Sequence, residues 1–193
     1  MGITFFLQNL FLGVGLAMDA FSVSVADGLN EPTMKKSKII GISGTFGIFQ
    51  FLMSFIGWVC VSYLAKSFAI FAHHVPKIAF FLLLIIGGKM IYEGIKNKDE
   101  EKIEQLGFFA LMLQGVATSI DALSVGFTIS EYSLSQSLIA TLIIGIVTAL
   151  ICFIGVIVGK KFKTVFSDKA NIVGGIILIA IGLKILIPTL IKK

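Results

Sequence analysis

Two aspartates, Asp19 and Asp121, sit inside long apolar runs, GVGLAMDAFSV (13–23) and GVATSIDALSV (115–125). A charged side chain at the centre of a membrane span costs about 2.5–3.5 kcal/mol on insertion scales, so a residue of this kind is a functional candidate by default. Hydroxyls flank each aspartate at helical spacing: Ser22 lies three residues after Asp19, and Thr118 and Ser124 lie three residues either side of Asp121. That spacing sets them on one helix face. Carboxylates with hydroxyls are hard oxygen ligands, suited to a divalent ion such as Mg or Mn rather than soft Cu(I). Each aspartate is expected on a narrow polar stripe facing the interior of a bundle. The plainer alternative is a protonated or hydrogen-bonded packing contact between helices.

Further donors are ambiguous. Gln50 and Thr148 each follow a glycine by three residues and precede another by seven. They read equally as neutral oxygen ligands and as interhelical hydrogen bonds. Met53, three residues from Gln50, would add a thioether that favours a transition metal, although a methionine in an apolar helix is ordinary packing. Lys89 and Lys184 lie near helix ends, within snorkelling reach. The other reading is that one of them neutralises an aspartate until metal displaces it. His73 and His74, before Pro76, read as a solvated connection. Cys60 and Cys152 lie within apolar runs and form neither a disulfide framework nor a metal motif.

The elements that must position these residues follow from composition. Of 193 residues, 56% are hydrophobic and 14% charged, against roughly 25% charged in soluble proteins. Apolar stretches run from the N-terminus to about 25, then about 39–64, 78–95, 107–129, 137–159 and 171–191, each long enough to span a bilayer. The expectation is an all-α membrane protein with six transmembrane helices, one polytopic domain over 1–193. The net charge of +5 comes from lysines in short clusters between apolar runs, which argues against a nucleic-acid-binding face. Lysines at 35, 36, 38, 96, 98, 102, 160, 161, 163 and 169 outnumber those at 66, 77, 192 and 193. The richer connections belong in the cytoplasm, with both termini outside.

The halves repeat. Helix 1 matches helix 4 at Gly, Val, Asp, Ala, Ser and Val with an offset of 102. GIFQFLMSFIG (47–57) matches GIVTALICFIG (145–155) at an offset of 98, and Gly87 and Lys89 match Gly182 and Lys184 at 95. Each unit holds an odd number of helices, so the second enters the membrane from the opposite side, and an inverted repeat is a transporter signature. The expected organisation is two inverted three-helix repeats, about 1–96 and 107–193, joined by a cytoplasmic connection at about 97–106. Without a nucleotide site, export of a divalent cation against about 4.6 kcal/mol per 100 mV needs an ion gradient. Two carboxylates exchanging one divalent cation for two protons would cancel that electrical cost.

The segments MDAFSVSVADG (18–28), GIFQFLMSFIGW (47–58), GGKMIYEGIK (87–96), ATSIDALSVG (117–126) and GGIILIAIGLKIL (174–186) resemble the bacterial manganese efflux pump family MntP over essentially the whole chain. The resemblance implies a six-helix carrier of the bacterial inner membrane, related to the lysine exporter superfamily. It further implies Mn(II) as exported substrate, with Asp19 and Asp121 as transport carboxylates. Gln50 matches a position where some members carry Glu, and Ser54 one where the motif often has Pro. No cofactor and no obligate protein partner is implied; the partners are Mn(II), the lipid bilayer and, as candidate coupling ion, protons. The competing readings are an exporter of another divalent cation or of an amino acid and, remotely, an intramembrane aspartyl protease. The protease would need a GxGD-like motif at its second aspartate, whereas Asp121 follows Thr-Ser-Ile.

Overall fold

In hydrocarbon no water satisfies a free backbone N–H or C=O, so a chain this apolar must close its hydrogen bonds within helices. The computed structural model describes the backbone of residues 2–96, 107–163 and 170–191. Every element among them is a helix: α1 (Ile3–Asn30), α2 (Lys36–Lys96), α3 (Phe108–Thr118), α4 (Ile120–Thr128), α5 (Leu134–Lys163) and α6 (Ala170–Ile191). The expected connection 97–106 lies outside the described residues, as do the side chains of His73, His74, Glu93 and Lys184.

Among the described residues, four segments are long and apolar enough to cross a membrane: Ile3–Asn30, Lys36–Ser62, Phe108–Gly126 and Leu134–Phe162, with Ile172–Ile181 a shorter apolar stretch. Large apolar side chains such as Phe11, Phe108 and Ile154 are exposed on the outside of the bundle, as suits a surface facing lipid tails. The chain is a multi-pass membrane protein.

The partition into helices differs from the sequence expectation at two points. First, helicity continues from Lys36 to Lys96, through the connection expected at about 65–77. Yet α2 does not run straight. Lys160 Nζ donates to the Met34 carbonyl at 2.6 Å, and Gly175 packs on Gly87. Between Lys160 and Gly175 the chain reaches at most about 40 Å, whereas a straight helix would separate residues 36 and 87 by about 77 Å. The direction must change between the span ending at Ser62 and the segment packed on α6. Pro76 falls in that stretch, and its missing N–H leaves the carbonyl of residue 72 without its helical donor. Second, the expected helix at 107–129 is broken at Ser119, described below.

Glycine seams set the helix directions. A methyl placed on Gly13 would lie 3.2 Å from Ile144, and Gly28 sits against Val156, Gly159 and Lys160, so α1 runs parallel to α5. Gly115 faces Phe49, while Gly126 faces Gly57 and Trp58, so α3–α4 runs parallel to the first span of α2. Where α2 crosses α5, a methyl on Gly47 would meet the Gly145 carbonyl oxygen at 2.7 Å and the Ala149 Cβ at 2.9 Å; one on Gly145 would meet the Gly47 oxygen at 2.8 Å and the Phe51 Cβ at 2.9 Å. Those reciprocal contacts make α2 and α5 antiparallel. Small residues allow such close approach where no hydrophobic driving force operates between helices in lipid.

One end of the bundle is tied by Trp58. It is buried, and its indole N–H donates to the Tyr132 carbonyl at 3.2 Å. Tyr132 in turn packs on Phe5, with ring centroids 5.3 Å apart. The opposite end is tied by Lys38, which pairs with Glu31 at 2.5 Å.

Candidate functional site

The break at Ser119 falls where two hydroxyl residues stand together, Thr118-Ser119, a residue type that suits helix ends better than interiors. Thr118 Oγ1 donates to the Gln114 carbonyl at 2.9 Å, and Ser119 Oγ donates to that of Gly115 at 2.7 Å. Side-chain donors at i−4 compete with the backbone ladder. The Ser119 N–H turns to the Val116 carbonyl at 3.3 Å, and the Ala122 N–H donates to the Ser119 carbonyl at 3.2 Å. Asp121 therefore begins a new helix, in the first turn of α4, where a carboxylate is favoured by the helix dipole. Discontinuous membrane helices recur at transporter binding sites.

The expected stripe on this second copy does not hold together. Thr118 is buried, whereas Asp121 and Ser124 are exposed. The break between Thr118 and Asp121 resets the helical phase, so their spacing of three no longer brings them to one face. On the unbroken α1 the pattern survives better: Asp19 and Ser22 are both half-buried, and Ser22 Oγ donates to the Met18 carbonyl at 2.9 Å.

Gln50 and Thr148 flank the α2–α5 crossing, each three residues past the glycine that makes it. Both are buried, and among the described residues neither Gln50 Nε2 nor Thr148 Oγ1 has a hydrogen-bond partner. Ser54, one turn after Gln50, is buried with an equally unpartnered hydroxyl. Leaving such groups unpaired costs about 1–3 kcal/mol each. Met53 packs with the apolar core, as the packing alternative expected.

Sequence reasoning passed over Asp27, which is 1% exposed on α1 and accepts a 2.9 Å hydrogen bond from Gln114 Nε2 of α3. It has no counterpart in the second half, where the equivalent position is Ile129. Its signal was simpler: an acid within an apolar stretch. Among the described residues no three His, Cys, Asp or Glu side chains cluster as a metal centre, so any cation here would draw on hydroxyl and amide oxygens as well.

A family model described as "Putative manganese efflux pump" matches residues 33–186. The chain belongs to this manganese efflux pump family. Three curated relatives carry the name "Putative manganese efflux pump MntP". The protein of Crocosphaera subtropica is 45% identical over 183 residues, covering 94% of this chain and 95% of the relative. That of Clostridium perfringens is 42% identical over 204 residues, covering 94% and 93%. That of Methanobrevibacter smithii is 42% identical over 184 residues, covering 95% and 98%. No solved structure matches the chain. The efflux pump family is one of transporters, not enzymes.

Proposed function

We propose that this chain exports Mn(II) from the cytoplasm across the bacterial inner membrane, as a secondary carrier that exchanges the metal for protons. The observation that carries the reading is membership of the manganese efflux pump family along nearly the whole chain. Asp19 and Asp121 supply the negative charge that a dehydrating Mn(II) needs, with Ser22, Thr118, Ser124, Gln50 and Thr148 as neutral oxygen donors along the path. The chain is one domain, its halves form two inverted three-helix repeats, and both termini lie outside.

Glycine contacts support the repeat. Gly47 and Gly145 are equivalent positions and pack on each other; Gly155 meets the Phe21 carbonyl, while Gly57 meets that of Leu123, which is the equivalent pair. Contacts that map onto themselves under exchange of the halves are what a two-fold axis through the α2–α5 crossing produces. The binding region of such carriers lies at the repeat interface, where Gln50 and Thr148 carry unpartnered polar atoms.

Export is tested on cells loaded with Mn(II). Cells expressing the chain lose the metal faster than cells without it, and a protonophore that collapses the proton gradient stops this loss. Efflux that ignores the protonophore discards proton exchange, and efflux of another cation in place of Mn(II) discards the metal assignment.

Gln50→Leu separates transport from packing at the crossing. Replacing a buried amide whose Nε2 has no partner among the described residues by an apolar side chain of similar size leaves stability unchanged or raises it by about 1 kcal/mol. Mn(II) efflux falls in the same variant, because a neutral oxygen donor is gone. Unchanged efflux would leave Gln50 as a helix contact alone.

A further inference from the structure

The C-terminal end of α1 concentrates buried polar atoms that the Asp19 and Asp121 path does not use. Asp27 is 1% exposed, and Ser24 and Gln114 are 0% exposed. Among the described residues Asp27 Oδ2 and Gln114 Oε1 have no hydrogen-bond partner, and Ser24 Oγ has none beyond the Cys152 thiol beside it. Ser24 precedes Asp27 by three residues and shares its face. Gln114 reaches across from α3 to Asp27 Oδ1 at 2.9 Å, so rotation of its amide about the last side-chain bond would bring Oε1 to the same place. From α5, a methyl on Gly155 would lie 3.1 Å from the Ser24 Cβ. Cys152, one turn earlier and fully buried, lies beside Ser24 and within electrostatic reach of Asp27.

The neighbouring cations have other partners. Lys38 is close enough to act on Asp27, yet it is bound to Glu31 at 2.5 Å. Lys160 donates to the Met34 carbonyl at 2.6 Å. A buried carboxylate needs compensation; Gln114 Nε2 serves Oδ1, while Oδ2 has no donor among the described residues.

We propose that Asp27, Ser24 and Gln114, with the thiol of Cys152 as fourth donor, form a second divalent-cation site distinct from the Asp19 and Asp121 carboxylates. Three oxygens with one sulfur suit a transition metal over Mg or Ca. The donors come from α1, α3 and α5, so a bound ion ties three helices together. With Ile129 at the position equivalent to Asp27, exchange of the halves gives no second copy of the site.

The test uses the purified full chain in detergent with Co(II) as probe, because a thiolate ligand gives Co(II) a sulfur-to-metal charge-transfer band in the near ultraviolet. The band appears on titration, survives in Asp19→Asn and Cys60→Ser, and is lost in Cys152→Ser. Asp27→Asn weakens Co(II) binding at least about tenfold, the lower end of what removing even a supporting partner costs a metal site. A titration without the band, a band that survives Cys152→Ser, or an unchanged affinity in Asp27→Asn overturns the proposal. Should Asp27→Asn not fold, Gln114→Glu decides: a second carboxylate among the ligands tightens Co(II) binding in a cation site, and failure to tighten it overturns the site. The readout is binding by purified protein and does not depend on the efflux reading, which fails or stands on transport alone.

Discussion

Asp19→Asn and Asp121→Asn each reduce Mn(II) efflux to that of cells lacking the chain, at unchanged membrane abundance. The amide keeps the size of the carboxyl group and can still hydrogen-bond, so the substitution tests charge rather than space. An interaction with a charged group is worth about 1.5–3 kcal/mol net, which alone corresponds to about ten- to a hundredfold in affinity. A carrier that loses one carboxylate also loses the proton acceptor that balances the exchange, so the two deficits compound. Asp19 is half-buried on an unbroken helix, while Asp121 is exposed in the first turn of α4. The Asp121 variant is therefore the sharper test. Were that carboxylate only a tolerated surface group, Asp121→Asn would relieve a membrane cost and leave efflux intact, and the paired-carboxylate path would be abandoned.

Gly126→Ala lowers the unfolding temperature sharply, whereas Gly15→Ala is silent. The added methyl at Gly126 would run into the backbone of Gly57 and Trp58, and Gly57 in turn lies against the Leu123 carbonyl. Ordinary overpacking costs about 1–3 kcal/mol because side chains shift to make room. Here the obstructing atoms are main chain on both sides, so the cost lies at or above that range and falls on the seam joining α4 to α2. A methyl added at Gly15 would have nothing within 4 Å, and alanine is the better helix former. Thermal unfolding of the detergent-solubilised variants, followed by loss of monodisperse protein, reads both. Equal unfolding temperatures for the two would mean that the α2–α4 seam is not a close contact.

Much of the membrane architecture is legible along the chain. Apolar length alone identifies the four segments long enough to cross a membrane, Ile3–Asn30, Lys36–Ser62, Phe108–Gly126 and Leu134–Phe162, because hydrocarbon leaves a backbone no partner but itself. The family likewise follows from local segments such as MDAFSVSVADG and ATSIDALSVG. Asp19 and Asp121 stand out for the same local reason, that an acid in an apolar run is costly and needs a cause.

What the structure decided beyond the sequence depends on which contacts form, some within a turn and others between helices far apart in sequence. Helical spacing would join Thr118 to Asp121, but the helix is interrupted at Ser119, where two consecutive hydroxyls bond back to the preceding turn. Apolar length suggests an interrupted chain near 65–77, while helicity persists there and the change of direction follows only from what Gly87 and Lys160 touch. Asp27 is buried because Gln114, from another helix, meets it. Composition and period report what each residue prefers by itself; which polar atoms find partners is settled only when the helices pack, and no local pattern encodes that.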